Sequence, residues 1–436
     1  MSRDRLEPGA GTRAAPGADP RDASVTPARQ VAYEVVRRVF EEDAYADRAF
    51  RSLAGGLDER DRRFAQQLAY GTVRRVRTLD HAIEALGRRP VRKLDPPVRV
   101  ALRLGAYQLV FAAGVAPHAA ANESVELVRR ARLERAVAFT NAVMRRLAEG
   151  ARRLVDALPD GAPAEAALRH SYPDWIAHAW WEEWGRSDAL GLMKAQNDAP
   201  ETVVHVRADS PGEIGGDPVP GIPDARRVTS VDQTWLDRGL ARPQSVGSQL
   251  AGLAAGVRPG ERVLDLCAAP GGKTLQLAET AGEVVAVEMH PGRARELEET
   301  LKRYQTANVH VVVADGRELP RQLGTFDRVL VDAPCSGLGV LASRPDLRWR
   351  ARPLPELQLE LVRAGLERLA PGGTLTYAVC TVHRPENEAV VDALGVPIDD
   401  LGREWPAFRH PCRPEFLLTL PHVHRTSGFF VARLRP

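Results

Sequence analysis

The sequence predicts a multidomain chain in which an all-α N-terminal domain precedes an α/β domain built on a mostly parallel, doubly wound sheet. Residues 26–150 carry apolar positions at three-to-four spacing, the helical period, whereas from Arg262 onward short β-branched runs alternate with helical stretches. The length of 436 residues, set against roughly 100–200 per domain, requires more than one folded unit.

Residues 1–25 are dominated by Gly, Pro, Ala and charge, which predicts a flexible tail; they lack the apolar stretch of a signal peptide. Thr26 and Pro27 suit a helix N-cap and first position, and Val31, Val35, Val36, Val39 and Phe40 then define one buried stripe. A second stripe follows in Phe64, Leu68, Val76, Leu79 and Ile83, and "PPVRVALRLGAYQLVFA" (96–112) is apolar on most faces. Five or six helices account for residues 26–150, with arginines on their outer faces, where a solvated surface and RNA contact both remain open. Residues 151–236 form a connecting module of helices and short strands. It places Trp175, Trp180, Trp181 and Trp184 in one segment, a density that reads as packed core rather than a base-stacking platform. Residues 237–436 form the α/β domain, with strands expected at "RVLDLCAA", "EVVAVEM", "NVHVVVAD", "FDRVLVDA" and "GTLTYAVC".

Composition excludes several classes. Hydrophobic content of 44% and charged content of 27% are globular values, so wholesale disorder is ruled out. The net charge is only +3, but Lys93, Lys194, Lys273 and Lys302 are the sole lysines and every other side-chain cation bar histidine is arginine, which suits bidentate phosphate recognition. Cys267, Cys335, Cys380 and Cys412 show no CxxC spacing, so neither a metal site nor a disulfide framework is expected and a reducing, cytoplasmic setting fits. No apolar run reaches the ~18–20 residues of a membrane span.

Function is sought at the carboxyl ends of the parallel strands. The first holds "LDLCAAPGGKT" (264–274), whose paired glycines let a ligand approach the backbone. Its end imitates a phosphate-binding loop, but that motif needs glycine where Cys267 stands, and a G-x-G-x-x-G fingerprint is also absent. Glu288 ends the second run, at the separation that places an acid on a ribose diol, and Asp315 closes the third. Three strand ends of this kind describe a site for an adenosine with free ribose hydroxyls and no triphosphate, which S-adenosylmethionine satisfies. Asp332 and Cys335 follow the fourth run and Cys380 ends the fifth. Cys267 and Cys412 are expected to be inert, whereas Cys335 and Cys380 stand where the cofactor belongs. A thiolate adding to cytosine C6 would make C5 nucleophilic, and a carboxyl beside the ring would hydrogen-bond N3 and the exocyclic amine. Spacing alone does not decide which thiol attacks.

"LDLCAAPGGKT", "DAPCSGLG", "RPDLRW" and "YAVCTVHRPENE", in this order, resemble the Sun-type (RsmB) family of RNA cytosine-C5 methyltransferases, and "HAAANESVELVRRA" with "FTNAVMRRL" resembles the NusB-like RNA-binding domain that its 16S rRNA members carry. The resemblance spans residues 26–436. It implies a NusB-like helical domain before a Rossmann-like class I methyltransferase domain, S-adenosyl-L-methionine as cofactor, and 16S ribosomal RNA as partner of a cytoplasmic monomer without membrane or metal. It also implies that Cys380 is the nucleophile, that Cys335 aids product release and that Asp332 contacts base N3. Cys267, Ala268, Ala269, Pro270, Gly271, Gly272, Lys273, Glu288, Arg293, Asp315 and Asp332 would line the cofactor site. Val379, Ala208 and Ser427 depart from the family pattern, as does the absence of acids in "QSVGSQLAG" (244–252). A transfer-RNA enzyme of the same chemistry and a catalytically silent rRNA-binding factor are the alternatives.

Overall fold

The structure, a computed structural model, describes residues 25–436 apart from Asp209, Pro211 and Glu213. The expected tail lies outside the described residues except for Val25, which is buried in the helical core and so belongs to the first domain. Six helices build that domain: α1 (Pro27–Glu41), α2 (Ala46–Leu53), α3 (Glu59–Gly87), α4 (Pro96–Val110), α5 (Pro117–Arg130) and α6 (Glu134–Asp156). Proline opens α1, α4 and α5, where its missing N–H has no partner to lose. Thr26 sits at the N-cap of α1 without capping it. Its N–H and hydroxyl both donate to Glu123 of α5, at 2.9 and 3.0 Å, and Arg29 closes on the same carboxylate at 2.7 Å.

Val35, Val36, Leu68, Leu79, Leu102, Leu104 and Met144 are enclosed in the core of this domain. Gly71 permits the crossing of α3 and α4, since a Cβ there would meet the Tyr107 ring at 2.0 Å. Not every arginine faces outward as the sequence predicts. Arg103 is buried and grips Asp80 through two bonds of 2.7 and 2.6 Å, and buried Arg74 donates to the Asn197 carbonyl at 3.1 Å. An arginine stem packs as hydrocarbon provided its head finds acceptors.

Helices α7 (Pro163–His170) and α8 (Asp174–Ala195) follow, α8 breaking at Gly185, whose φ of 74° leaves the helical region. Trp180 is wholly buried against Tyr172, with ring centroids 5.3 Å apart, whereas Trp175 is 39% exposed and departs from the packed-core expectation. A small antiparallel sheet of order β2-β3-β1-β4 comes next: β1 (Thr202–Val206), β2 (Asp217–Val219), β3 (Ile222–Val228) and, after the short α9 (Gln233–Asp237), β4 (Ala241–Pro243). The connecting module therefore extends past residue 236, because β4 pairs with β1.

The last domain contains α10 (Val246–Ala254), β5 (Arg262–Leu266), α11 (Gly272–Ala278), β6 (Glu283–Glu288), α12 (Pro291–Arg303), β7 (Val309–Val313), β8 (Phe326–Asp332), α13 (Leu347–Arg350), α14 (Pro355–Leu366), β9 (Leu369–Val379), β10 (Leu417–Thr419) and β11 (Phe429–Leu434). Its seven-stranded sheet has the order β10-β11-β9-β8-β5-β6-β7, parallel from β9 to β7, with β11 and β10 added antiparallel at one edge. The chain runs outward from β5 through β7 and then crosses back to β8. That reversal opens a crevice at the carboxyl ends of β5 and β8, the place where such sheets bind ligands. Among the described residues no helix is long and apolar enough to cross a membrane.

Candidate active site

Parallel register brings the two thiols together. Asp332 ends β8 opposite Ala378 of β9, and the chains leaving these strands carry Cys335 and Cys380 to an Sγ–Sγ distance of 3.3 Å. Backbone bonds fix the approach: the Gly339 N–H donates to the Cys380 carbonyl at 3.0 Å and the Gly428 N–H to the Gly339 carbonyl at 2.7 Å. Glycine is required at 339, because a Cβ there would lie 2.0 Å from the Gly428 carbonyl oxygen. Lys273, in the first turn of α11, reaches across the crevice so that its Nζ stands 2.7 Å from Asp332 Oδ2 and 4.9 Å over the Phe429 ring.

The thiols are not equivalent. The hydrogen bond between them raises the pKa of Cys335, with burial adding to the rise. The same bond lowers that of Cys380, opposed by burial and the Asp332 charge and helped by the Lys273 charge. Such a pair can hold one thiolate against a neighbouring S–H, and the lowering falls on Cys380.

The other end of the crevice is made by the β5–α11 turn. Cys267 and Gly271 have φ of 64° and 103°, which turns the backbone sharply after β5; a Cβ on Gly271 would strike Leu297 at 2.6 Å, while one on Gly272 would meet open space. Arg293 Nη2 donates to the Ala269 carbonyl at 2.7 Å, between Ala268 and Pro270. Glu288 is 2% exposed, and its Oε1 accepts from the His290 N–H at 3.0 Å. Its Oε2 has no hydrogen-bond partner, the Arg293 Nη1 standing 3.5 Å away. A buried carboxylate with a spare acceptor calls for a ligand hydroxyl. Burial pushes the Cys267 thiol up to about 12, which disfavours its thiolate. Asp315 lies two residues beyond β7, where Arg317 folds back onto both of its oxygens, the shortest contact being 2.7 Å.

Comparison with known proteins places this arrangement. Residues 253–435 match the family model described as 16S rRNA methyltransferase RsmB/F, and residues 26–149 match the NusB family. A probable ribosomal RNA small subunit methyltransferase B of Synechocystis is 32% identical over 94% of this chain and 99% of its own length. The chain belongs to the RsmB/F methyltransferase family. A putative methyltransferase of Mycobacterium tuberculosis is 35% identical over 95% of this chain and 98% of its own. The crystal structure of PH0851 shares the fold at a TM-score of 0.77 and 23% identity, covering 95% of this chain and 99% of that one.

The cofactor of an RsmB/F methyltransferase, S-adenosylmethionine, fits the spare oxygen of Glu288 and the open space over Gly272. Two acids that the sequence did not single out complete the site. Asp265 on β5 is wholly buried, accepts from the Thr274 hydroxyl at 2.6 Å, and has its pKa raised to about 7 by that burial. Glu386, within "YAVCTVHRPENE", is enclosed behind the thiols. Its place in a run of polar residues after the last parallel strand was the available signal. Of the departures from the family pattern, Val379 is fully buried and Ala208 exposed, while the Ser427 carbonyl accepts from the Thr419 hydroxyl at 2.7 Å. The hydroxyl beside the later thiol belongs to Thr381, which meets Ser336 Oγ at 3.0 Å.

Proposed function

We propose that this chain is an S-adenosylmethionine-dependent methyltransferase of small-subunit ribosomal RNA, that the atom methylated is cytosine C5, and that the reaction runs through a covalent bond between Cys380 and C6. The observation that carries this reading is one cluster: two thiols 3.3 Å apart beside a Lys273–Asp332 pair at 2.7 Å, at the switch point of the sheet. S-adenosylmethionine, when bound, supplies an electrophilic sulfonium methyl group.

The chain's own groups do the rest. Cys380, whose thiolate is favoured by the Cys335 S–H and by Lys273, attacks C6 and leaves C5 enamine-like. Asp332, held by Lys273, faces the cytosine N3 edge and accepts from the exocyclic amine beside it, which orients the ring for attack at C6. The C5 proton leaves to solvent, its electron pair re-forms the C5–C6 double bond as the C6–S bond breaks, and the Cys335 S–H hydrogen-bonds the departing Cys380 thiolate, which restores the starting pair. Glu288 and the backbone of residues 267–272 hold the adenosine end. The target base has to leave its stack, because a thiol cannot reach the C6 face inside a helix.

The test is methyl transfer from labelled S-adenosylmethionine to unmodified 16S rRNA by wild type, Cys380→Ala and Cys335→Ala, with denaturing gels to detect protein–RNA adducts. Cys380→Ala is expected to be inactive and adduct-free, and Cys335→Ala to accumulate an adduct. Loss of adduct in Cys335→Ala with its retention in Cys380→Ala would reverse the assignment.

A further inference from the structure

We infer that Glu386 is the positioning residue of the thiol pair, one carboxylate that sets both sulfurs at once. Glu386 is 0% exposed, and its oxygens accept from two separate segments of the site. Oε1 accepts from the Ser336 N–H at 2.9 Å, the Leu354 N–H at 3.0 Å and the Gln358 side chain at 3.0 Å, while Oε2 accepts from the Ser336 hydroxyl. Ser336 follows Cys335 directly, so the carboxylate grips the loop that presents the first thiol. The Ser336 hydroxyl also meets Thr381 Oγ1 at 3.0 Å, and Thr381 follows Cys380 directly. Glu386 is in turn fixed from behind by the Tyr377 hydroxyl, which donates to its carbonyl at 2.6 Å. Both cysteines thus hang from one acid through their next neighbours in sequence, and the Sγ–Sγ contact is the geometry that results.

The carboxylate also sets the electrostatics. Its negative charge raises the pKa of both thiols and works against the Lys273 charge at Cys380. A site that must add a thiolate and then expel it gains from this opposition, because too stable a thiolate is a poor nucleophile.

Glutamine and alanine at 386 separate the two effects. Glutamine can keep its carbonyl toward the three Oε1 donors and turn its amide toward Ser336 Oγ, which then donates to Thr381; the network survives without the charge. Alanine removes both. This inference rests on Cys380 as the attacking thiol.

The experiment measures the pH dependence of iodoacetamide alkylation at Cys380, read by peptide mass spectrometry on the full chain, together with kcat and KM for methyl transfer. Glu386→Gln is expected to lower the alkylation midpoint of Cys380 with KM for S-adenosylmethionine unchanged. Glu386→Ala is expected to lower kcat by about 10²-fold with KM for S-adenosylmethionine unchanged. An alkylation midpoint for Glu386→Gln equal to that of wild type would overturn the inference, as would wild-type kcat in Glu386→Ala. If the alanine variant does not fold, the glutamine midpoint decides alone. Alkylation needs no RNA, so wild type that shows the midpoint shift against Glu386→Gln yet transfers no methyl refutes the functional reading and not this one.

Discussion

Replacing Asp265 by asparagine is expected to stabilise the protein above neutral pH and to leave its stability in acid unchanged. The carboxyl lies wholly inside β5, where burial and the nearby Asp332 charge outweigh the Thr274 hydroxyl and raise its pKa from 3.8 to about 7. The folded chain therefore favours the protonated acid, whereas the unfolded chain releases its proton near pH ~4. The stability this group contributes is complete below pH ~4 and drains away as pH rises through about 7, after which the loss is constant. A difference of about three units at ~1.4 kcal/mol each puts that loss at about 4 kcal/mol. Asparagine, its carbonyl toward Thr274 and its amide in the place of the unpartnered Oδ1, never ionises and does not incur it. Thermal melts of both proteins from pH 4.5 to 8.5 are the assay. The difference in Tm, variant minus wild type, should be near zero at the acid end and grow to several degrees by pH 8, at ~2–4 °C per kcal/mol for a domain of this size. Parallel Tm curves across that range would refute the reasoning.

Two further outcomes follow from the same structure. Glu288→Ala removes a buried carboxylate with a spare acceptor and should weaken S-adenosylmethionine binding by about 10–100-fold in calorimetry, the worth of ~1.5–3 kcal/mol for a charge-assisted bond; unchanged affinity would take Glu288 out of the site. Arg348 is fully buried and donates to the Arg74, Ser171 and Gln196 carbonyls, to Asn197 Oδ1 and to the Tyr172 hydroxyl. Arg348→Met strands these acceptors at ~1–3 kcal/mol each where no water enters, so a fall of at least ~3 kcal/mol is expected in urea titration. Arg348→Lys should not restore it, since a point charge cannot span five acceptors.

What the sequence made legible was the part governed by local pattern. Strand ends could be read from β-branched runs, so Glu288, Asp332 and Cys380 were located to within a residue of where β6, β8 and β9 stop. The glycine turn after β5 was legible because only small residues allow it. Pairings between distant segments were not. Nothing near Asp315 in sequence showed that Arg317 would fold back onto both of its oxygens, since Asp-x-Arg spacing does not require that contact. β10 escaped notice because a three-residue edge strand carries little periodicity, and β11 because its six residues are buried throughout and show no alternation. Asp265 reads as an ordinary strand residue until the sheet encloses it. Glu386 looks like solvated polar sequence until four donors converge on it from segments tens of residues away. Arg29, Arg74 and Arg103 were misplaced outward for the same reason, as their acceptors lie on other elements.

The Arg348 contacts bear on how this chain can be taken apart. The two family models leave residues 150–252 unclaimed between them, yet four of the five acceptors of Arg348 lie in that interval and the fifth lies on α3. Trp349 adds a bond of 2.7 Å from its indole N–H to the Val73 carbonyl. The interval is mortar rather than linker. A chimera that joins the helical domain of one relative to the catalytic domain of another must carry α3, the α7–α8 junction and the "RPDLRW" loop as a single inheritance, or it will be assembled from parts cut across their strongest joint.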